Sequence, residues 1–248
     1  MQNKKVLIIS SEVTPYLPQT DQSINSFKIP KTINEAGGQT RIFMPRYGMI
    51  NERRHQLHEV IRLSGMNMVI NDMDMPLIIK VASIPKERMQ VYFIDNEEYF
   101  KRKAMLKDED GNLFSDNDER MIFFTKGVIE TVKKLNWSPD IIHLHGWFTS
   151  LFPLYMKTYF AEDPIFESSK IVTSIYPSDF EGSVSSEFEN KVAFDVPGEA
   201  EKSLLKDATY ENLIKLATNF SDGVILSGEN ISESILSNID DKKVPALT

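Results

Sequence analysis

Residues 139–155 read PDIIHLHGWFTSLFPLY. The run at 141–144 is short, apolar and opened by Pro and Asp, which predicts a buried strand. A turn follows at Gly146, and apolar side chains then recur at Leu151, Leu154 and Tyr155 with helical spacing. In an open parallel sheet, ligands bind where strands end and helices begin. We therefore expect this turn, which carries two of the four histidines and one of the two tryptophans, to lie at a functional site.

Buried strands and helices alternate on both sides of this stretch. A strand predicted at 6–10 is followed by a helical pattern at 26–36, which Gly37 and Gly38 end, and by a strand at 40–45. Because Pro30 lies inside that pattern, we expect the regular helix to begin near it. This alternation predicts a doubly wound α/β domain. Further strands are predicted at 169–175 and 223–227, further helices at 120–135, 212–220 and 229–236, and a loop-rich segment at 176–198.

Residues 57–95 form a different kind of segment. Short β-like runs alternate there with polar turns, which predicts a small β-rich insertion or sheet extension within one domain spanning 1–248. The charged segment at 101–116 is predicted to be a surface loop, since its acidic residues lack the spacing of a calcium loop. Residues 116–119 are predicted to cap the helix that follows.

Composition limits the classes of partner. The net charge is −8, which argues against nucleic acid and against an anionic membrane surface. No apolar run approaches the roughly 20 residues that cross a bilayer, and the first residues predict a buried strand rather than a signal peptide. The absence of cysteine excludes disulfides and thiol chemistry. These features fit a cytoplasmic protein.

Catalytic motifs of common types are missing, and no catalytic residue is assigned. Neither phosphate-cradling glycine loop occurs, and no Gly-x-Ser-x-Gly turn occurs. His143 and His145 share one face of a strand, as a metal pair would, yet no motif supplies a third ligand. Alternatively, His143 is a core residue and His145 lines a cleft. His55 and His58 are expected at the surface, and we expect no metal or other cofactor.

Five segments together resemble the N-terminal half of bacterial glycogen synthases and plant starch synthases. They occur in the family's order and at similar spacing: KVLIISSEVTP at 5–15, MPRYG at 44–48, YFIDNEEYF at 92–100, DNDER at 116–120 and DIIHLHGW at 140–147. Residues 50–60 further resemble a shorter glycogen-synthase-like branch from Bacteroidetes.

The resemblance implies a fold, an activity and partners. Such enzymes are retaining glycosyltransferases of the GT-B type, with two Rossmann-like domains, that move glucose from ADP-glucose to an α-1,4-glucan. It therefore implies a Rossmann-like domain, with α-glucan and ADP-glucose as partners. It implies that Glu12, His145 and Trp147 line the cleft, with Tyr176 replacing a family histidine. The family's second domain holds the nucleotide sugar; the chain stops at Thr248, so we expect that domain to be absent and another chain to complete the site.

Several positions depart from the family pattern. Where the family has Lys-Thr-Gly-Gly, whose lysine and amides approach the donor's phosphates, this chain has Pro18, Thr20 and Asp21 in place of the lysine and both glycines. Gly146 replaces the aspartate of a His-Asp-Trp motif. Two hypotheses follow. The chain is a glucosyltransferase domain that a second domain or chain completes, or an inactive pseudo-glycosyltransferase that serves as a glucan-binding, regulatory or partner module.

Overall fold

The structure is a computed structural model that describes residues 1–87 and 89–248, with the backbone alone at 200 and 201. Its strands are β1 (Lys5–Ser10), β2 (Gln39–Pro45), β3 (His58–Glu59), β4 (Met66–Ile70), β5 (Met73–Ile84), β6 (Met89–Asp95), β7 (Ile141–His145), β8 (Lys170–Ile175), β9 (Gly223–Leu226) and β10 (Ala246–Leu247). Its α-helices are α1 (Asp21–Glu35), α2 (Glu52–His55), α3 (Glu97–Phe100), α4 (Asn117–Lys134), α5 (Leu151–Lys157), α6 (Phe188–Ala193), α7 (Glu199–Lys202), α8 (Tyr210–Asn219) and α9 (Glu233–Lys242). Short 3-10 helices occupy Trp147–Thr149 and Ser203–Asp207.

One mostly parallel sheet forms the centre of the molecule. Its strand order is β10-β9-β8-β7-β1-β2-β6-β5-β3, and β4 pairs with β5. Strands from β10 to β6 in this order run parallel to their neighbours. The chain builds outward from β1 to β2 and β6, then returns to place β7 on the other side of β1. This reversal confirms the doubly wound architecture and makes the gap between β1 and β7 the topological switch point.

The β-rich segment extends this sheet. β5 pairs antiparallel with β6, with β4 and with β3, so the runs near 57–84 lie at one edge of the main sheet. The last β-like run of the predicted insertion forms β6. This strand belongs to the core of the sheet, because it pairs in parallel with β2. The predicted insertion is therefore continuous with the doubly wound sheet.

Helix α1 begins well before Pro30, so the predicted start is wrong. Thr20 is its N-cap: the Thr20 hydroxyl accepts the Ser23 N–H at 3.0 Å, and the Ser23 hydroxyl accepts the Thr20 N–H at 2.9 Å. This reciprocal pair is a capping box. The first turns escaped prediction because the buried face there is polar: it presents Gln22, Ser23 and Ser26 rather than apolar side chains.

The predicted cap of α4 is also wrong in detail. Asp116 occupies the N-cap position, yet its side chain makes no capping hydrogen bond; it pairs instead with Arg102, whose Nη1 lies 2.8 Å from Asp116 Oδ1. Two smaller differences lie in the C-terminal part. The segment predicted to be loop-rich, 176–198, contains α6. Helix α9 begins at Glu233 rather than at 229.

The family-like segments at 92–100 and 116–120 meet around a buried guanidinium. Arg120 is fully buried; it donates to Asn117 Oδ1 at 2.6 Å and to a backbone carbonyl at 2.7 Å. Its guanidinium carbon lies 5.1 Å from the ring centroid of Phe100. Tyr99 donates to Glu119 at 3.0 Å, which joins the two segments a second time. These residues therefore stabilise the fold beside the crevice.

A buried ion pair joins the helical layer to the sheet extension. Lys126 Nζ lies 2.8 Å from Asp195 Oδ1 and donates to the Val69 carbonyl at 2.9 Å. The Tyr155 hydroxyl donates to the same aspartate at 2.8 Å. Helix α4, helix α5, strand β4 and the chain after α6 are thus linked by one carboxylate and one ammonium group.

The structure bears on helix length and on the two histidines predicted to lie at the surface. Among the described helices, none combines the length and apolarity needed to cross a bilayer. His58 is exposed as expected, whereas His55 is half-buried and its ring lies 4.9 Å from that of Tyr16.

We expect Lys126→Met to lower the free energy of unfolding by about 3–5 kcal/mol, because it leaves the Asp195 carboxylate buried without its cation. Urea unfolding would measure the change. Lys133→Met is the matched control on the same helix, since Lys133 is partly exposed and pairs with Glu130 at 2.9 Å, and its loss should stay below about 1 kcal/mol. Equal losses for the two variants would contradict this account of the buried pair.

Candidate functional site

The crevice between β1 and β7 contains a pocket. The register pairs Ser10 with His145, so the residues that follow these two strands face each other across the switch point. The pocket has a volume of about 200 Å³. It is lined by Glu12, Thr20, Asp21, Gln22, Gly146, Trp147, Tyr176, Pro177, Asp179 and Tyr210. Three of the residues that the sequence predicts to line a cleft, Glu12, Trp147 and Tyr176, lie together in this lining.

Glu12 accepts a hydrogen bond from the cap of α1. The Thr20 hydroxyl donates to Glu12 Oε2 at 2.7 Å, and the Glu12 backbone is held by the Ser10 hydroxyl at 2.7 and 3.2 Å. Burial raises the pKa of the Glu12 carboxyl, the Thr20 hydrogen bond opposes that shift, and the Asp179 carboxylate adds to it. The second carboxyl oxygen of Glu12 is an acceptor for a ligand hydroxyl.

His145 lies behind the pocket wall rather than on it. It is fully buried, and its Nδ1 lies 2.9 Å from the Tyr176 hydroxyl. Burial and the neighbouring His143 hold the pKa of His145 well below its usual value, and burial raises the pKa of Tyr176 to about 12. Both groups are therefore neutral at neutral pH. His145 Nε2 is buried with no hydrogen-bond partner among the described residues.

His143 is a core residue, as one of the two alternatives has it. Its Nε2 lies 2.8 Å from the Ser174 hydroxyl, and burial lowers its pKa to about 4. The rings of His143 and His145 lie 4.2 Å apart, yet within 1–87 and 89–248 no three side chains of the metal-binding types gather as a metal site would require. The side chains of His143 and His145 are packed against each other in the buried core.

Gln22 and Gly146 fit together at the floor of the pocket. Gln22 Nε2 donates to the Ser11 hydroxyl at 2.8 Å and lies 3.2 Å from the His145 carbonyl. Gly146 has φ = +77°, and a Cβ there would lie 2.2 Å from Gln22 Oε1. The positive φ at 146 favours glycine whatever the surrounding space, and a side chain there would in addition have to displace the Gln22 amide.

Aromatic rings form the opposite wall. The Trp147 ring lies 4.8 Å from that of Phe180, which lies 5.9 Å from Tyr210. The Tyr210 hydroxyl donates to the Tyr176 carbonyl. Sequence reasoning missed Asp179 and Tyr210 in the pocket lining, and Phe180, whose ring packs against Trp147, because a loop and a distant helix bring them together only in the folded chain.

The charges at the pocket are negative. Its lining includes the carboxylates of Glu12, Asp21 and Asp179 and contains no lysine or arginine. Pro18, at the family's lysine position, lies outside the lining and its carbonyl accepts from the Ser23 hydroxyl at 3.0 Å. The pocket therefore offers acceptors and aromatic surface to a neutral ligand, whereas a diphosphate would meet like charges.

A larger groove adjoins this pocket at Asp179. It has a volume of about 790 Å³ and lies between residues 107–113 and 178–184, with Phe180 contributing to its wall. Lys107 donates to the Asp179 carbonyl, so the two loops touch at the end of the groove nearest the pocket. Pocket and groove thus share Asp179 in their linings.

Comparisons with known proteins agree with this geometry. The model of the starch synthase catalytic domain matches residues 5–243. A glycogen synthase from Chlorobium limicola is 33% identical over 240 residues, which cover 96% of this chain and 48% of that protein. One from Chlorobium chlorochromatii is 41% identical over 175 residues, covering 70% and 36%.

A solved structure shares the fold. The catalytic domain of Starch Synthase IV from Arabidopsis thaliana, bound to ADP and acarbose, superimposes with a TM-score of 0.77 at 14% identity, covering 99% of this chain and 51% of that one. The chain thus spans about half the length of the relatives it matches. Since the family model extends from β1 into the end of α9, the chain belongs to the starch synthase catalytic domain family and is a glycogen/starch synthase-like glycosyltransferase domain.

Proposed function

We propose that the pocket between β1 and β7 binds a glucose unit of an α-glucan. The observation that carries the proposal is the lining itself, which combines carboxylate acceptors with aromatic rings and holds no cation. Sugars are uncharged and carry many hydroxyl donors, so they suit such a lining. The related Arabidopsis starch synthase domain was solved with ADP and acarbose, and a sugar ligand of this class supports the proposal.

Each wall has a part in holding the sugar. The Glu12 carboxylate accepts sugar hydroxyls, while Trp147 and Tyr210 cover the apolar face of the ring. Tyr176 presents its ring to the pocket, and His145 fixes the direction of its hydroxyl from behind. His145 is thus a positioning residue, and the adjoining groove has room for further units of the glucan.

Transfer of glucose from a nucleotide sugar requires more than this chain's pocket. A diphosphate leaving group needs cationic groups or free backbone amides, and the pocket supplies carboxylates at Asp21 and Asp179 instead. We infer that transfer depends on cations supplied by a second domain or a second chain. Without such a partner, the domain acts as a glucan-binding module, the role that the pseudo-glycosyltransferase hypothesis gives it.

Glucan binding and glucose transfer are separable by experiment. We expect the chain of residues 1–248 to co-sediment with glycogen and to transfer no measurable glucose from ADP-glucose or UDP-glucose. Glu12→Gln should weaken glycogen binding roughly tenfold, since it removes a charged acceptor. Glu59→Gln, at an exposed strand, is the control and should bind like the unchanged chain. Absence of co-sedimentation would refute the proposed ligand, and robust transfer would refute the dependence on a partner.

The ionised Glu12 carboxylate should also lower the free energy of unfolding at neutral pH. Its raised pKa means that the folded chain holds this proton more tightly than the unfolded chain, so ionisation destabilises the fold as pH rises above the ordinary value of 4.5. We expect Glu12→Gln to raise the free energy of unfolding at neutral pH, and the gain to vanish below pH 4.5. Urea unfolding across this range measures it. A gain that is independent of pH, or a loss at neutral pH, would contradict the assigned environment.

The contact of Gln22 with Gly146 predicts a coupled pair. Gly146→Asp should cost roughly 2–5 kcal/mol of stability, from backbone strain and from overlap with the glutamine amide. Gly182→Asp is the matched control, because Gly182 has a similar φ of +79° and nothing within 4 Å of a Cβ there. In a Gln22→Ala background, which removes the overlapping atoms, the Gly146→Asp cost should fall by about 1 kcal/mol or more. Equal costs at 146 and 182 would show that the overlap has no energetic weight.

A further inference from the structure

A second hollow lies at the opposite edge of the sheet. It has a volume of about 420 Å³ and is lined by Thr40 and Arg41 of β2, by residues 83–86 at the end of β5, and by Gln90 of β6. Strands β2 and β6 begin here and end at the edge that holds the crevice. At about 3.3 Å per residue, a seven-residue strand such as β2 places its two ends roughly 20 Å apart.

The guanidinium of Arg41 is held in place but left without a partner. Its central carbon lies 4.8 Å from the ring centroid of Trp137 and 5.8 Å from that of Tyr92, so the aromatic rings fix its plane. Arg41 Nη1 is buried and has no hydrogen-bond partner in the part of the chain that the structure describes. A buried charged donor that is left unpaired costs free energy, and a bound anion would remove that cost.

Lys86 shares the hollow with this guanidinium, and Arg62 lies outside the lining but near enough for its charge to act on Arg41. Lys86 lines the hollow and is exposed, and neither Lys86 nor the exposed Arg62 forms an ion pair within residues 1–87 and 89–248. Burial and the nearby charge of Arg62 lower the pKa of Arg41. The neighbouring carboxylate of Glu87 is bound by Lys31 at 2.9 Å. Although the net charge of the chain is −8, the positive charges at this hollow are not compensated by ion pairs among the described residues.

Neutral donors complete the lining. The Ser83 side chain is exposed at the rim, and the Tyr92 hydroxyl donates to Gln90 Oε1 at 3.2 Å. That hydrogen bond leaves the Gln90 amide N–H groups as donors. A planar guanidinium suits bidentate contact with an oxyanion, while lysine adds a point charge.

We propose that this hollow is a binding site for a phosphate group, either inorganic phosphate or a phosphomonoester of a small molecule. Arg41 is the oriented donor, Lys86 and Arg62 balance the negative charge, and Ser83 and Gln90 contact the remaining oxygens. The site is independent of the glucan pocket, since it shares no residue with it.

The tryptophan beneath Arg41 gives a direct readout. The chain has two tryptophans, so Trp147→Phe leaves Trp137 as the only one. Titration of that variant with potassium phosphate, at ionic strength held constant with potassium chloride, should produce a saturable change in fluorescence. The unchanged chain should show a matching rise in its thermal midpoint, which does not depend on the Trp147 substitution. Fluorescence and thermal midpoint that do not respond to phosphate would overturn the proposal.

Matched variants distinguish phosphate binding at a specific site from nonspecific electrostatic attraction of phosphate to positive charge. Arg41→Lys should weaken phosphate binding by about tenfold or more, and Lys86→Gln and Arg62→Gln by about two- to fivefold each. Lys243→Gln is the control for Lys86→Gln, because Lys243 is also exposed, has a similar positive φ and forms no ion pair in the described chain. Equal weakening by Lys243→Gln, or no effect of Arg41→Lys, would overturn the proposal.

A parallel titration distinguishes the sources of the phosphate. If glucose 6-phosphate competes with inorganic phosphate and binds more tightly, the site is assigned to a sugar phosphate. Equal or weaker binding would assign it to inorganic phosphate, and both results support the proposed chemistry. Displacement of phosphate by chloride at equal ionic strength would refute it.

Discussion

The parallel pairing of β1 with β7 is the constraint on which the site depends. Because β2 and β6 continue the sheet on one side of β1, and β7 and β8 on the other, the connections that follow β1 and β7 leave a crevice between them. The register of Ser10 opposite His145 then fixes which residues meet there. Glu12 and Trp147 face a common pocket for this reason, although more than 130 residues of chain separate them.

The structure at the start of α1 leads to a different interpretation of Thr20 and Asp21, which depart from the family pattern. Thr20 and Asp21 replace glycines, and the sequence alone suggests a damaged phosphate loop. In the structure Thr20 caps the helix and donates to Glu12 at 2.7 Å, so the segment has an ordered role of its own. In this chain the segment that aligns with the family's glycine loop forms a helix terminus that supports a carboxylate. This is consistent with binding of a neutral sugar.

The sequence predicts the strands well because β1 has a continuous apolar run, and β7 and β8 are short segments in which Ile, Val and Leu predominate among the apolar residues, as is typical of buried parallel strands. It predicts the family and the doubly wound fold from the order of short segments. It fails at α1, whose buried face is polar, and at the wall formed by Asp179 and Tyr210, which no local pattern connects to the crevice. The contact of Tyr176 with His145 depends on the register between β7 and β8, which periodicity does not supply.

The fit of Gln22 against Gly146 bears on how this sequence can change over evolutionary time. An aspartate arising at 146 would strike an occupied site, since the glutamine amide lies 2.2 Å from where its Cβ must go. The positive φ at 146 strains any side chain there whatever residue occupies position 22, so exchanging the glutamine relieves only the overlap. That exchange also removes the hydrogen bond to Ser11, so each single change toward an aspartate at 146 has a cost of its own.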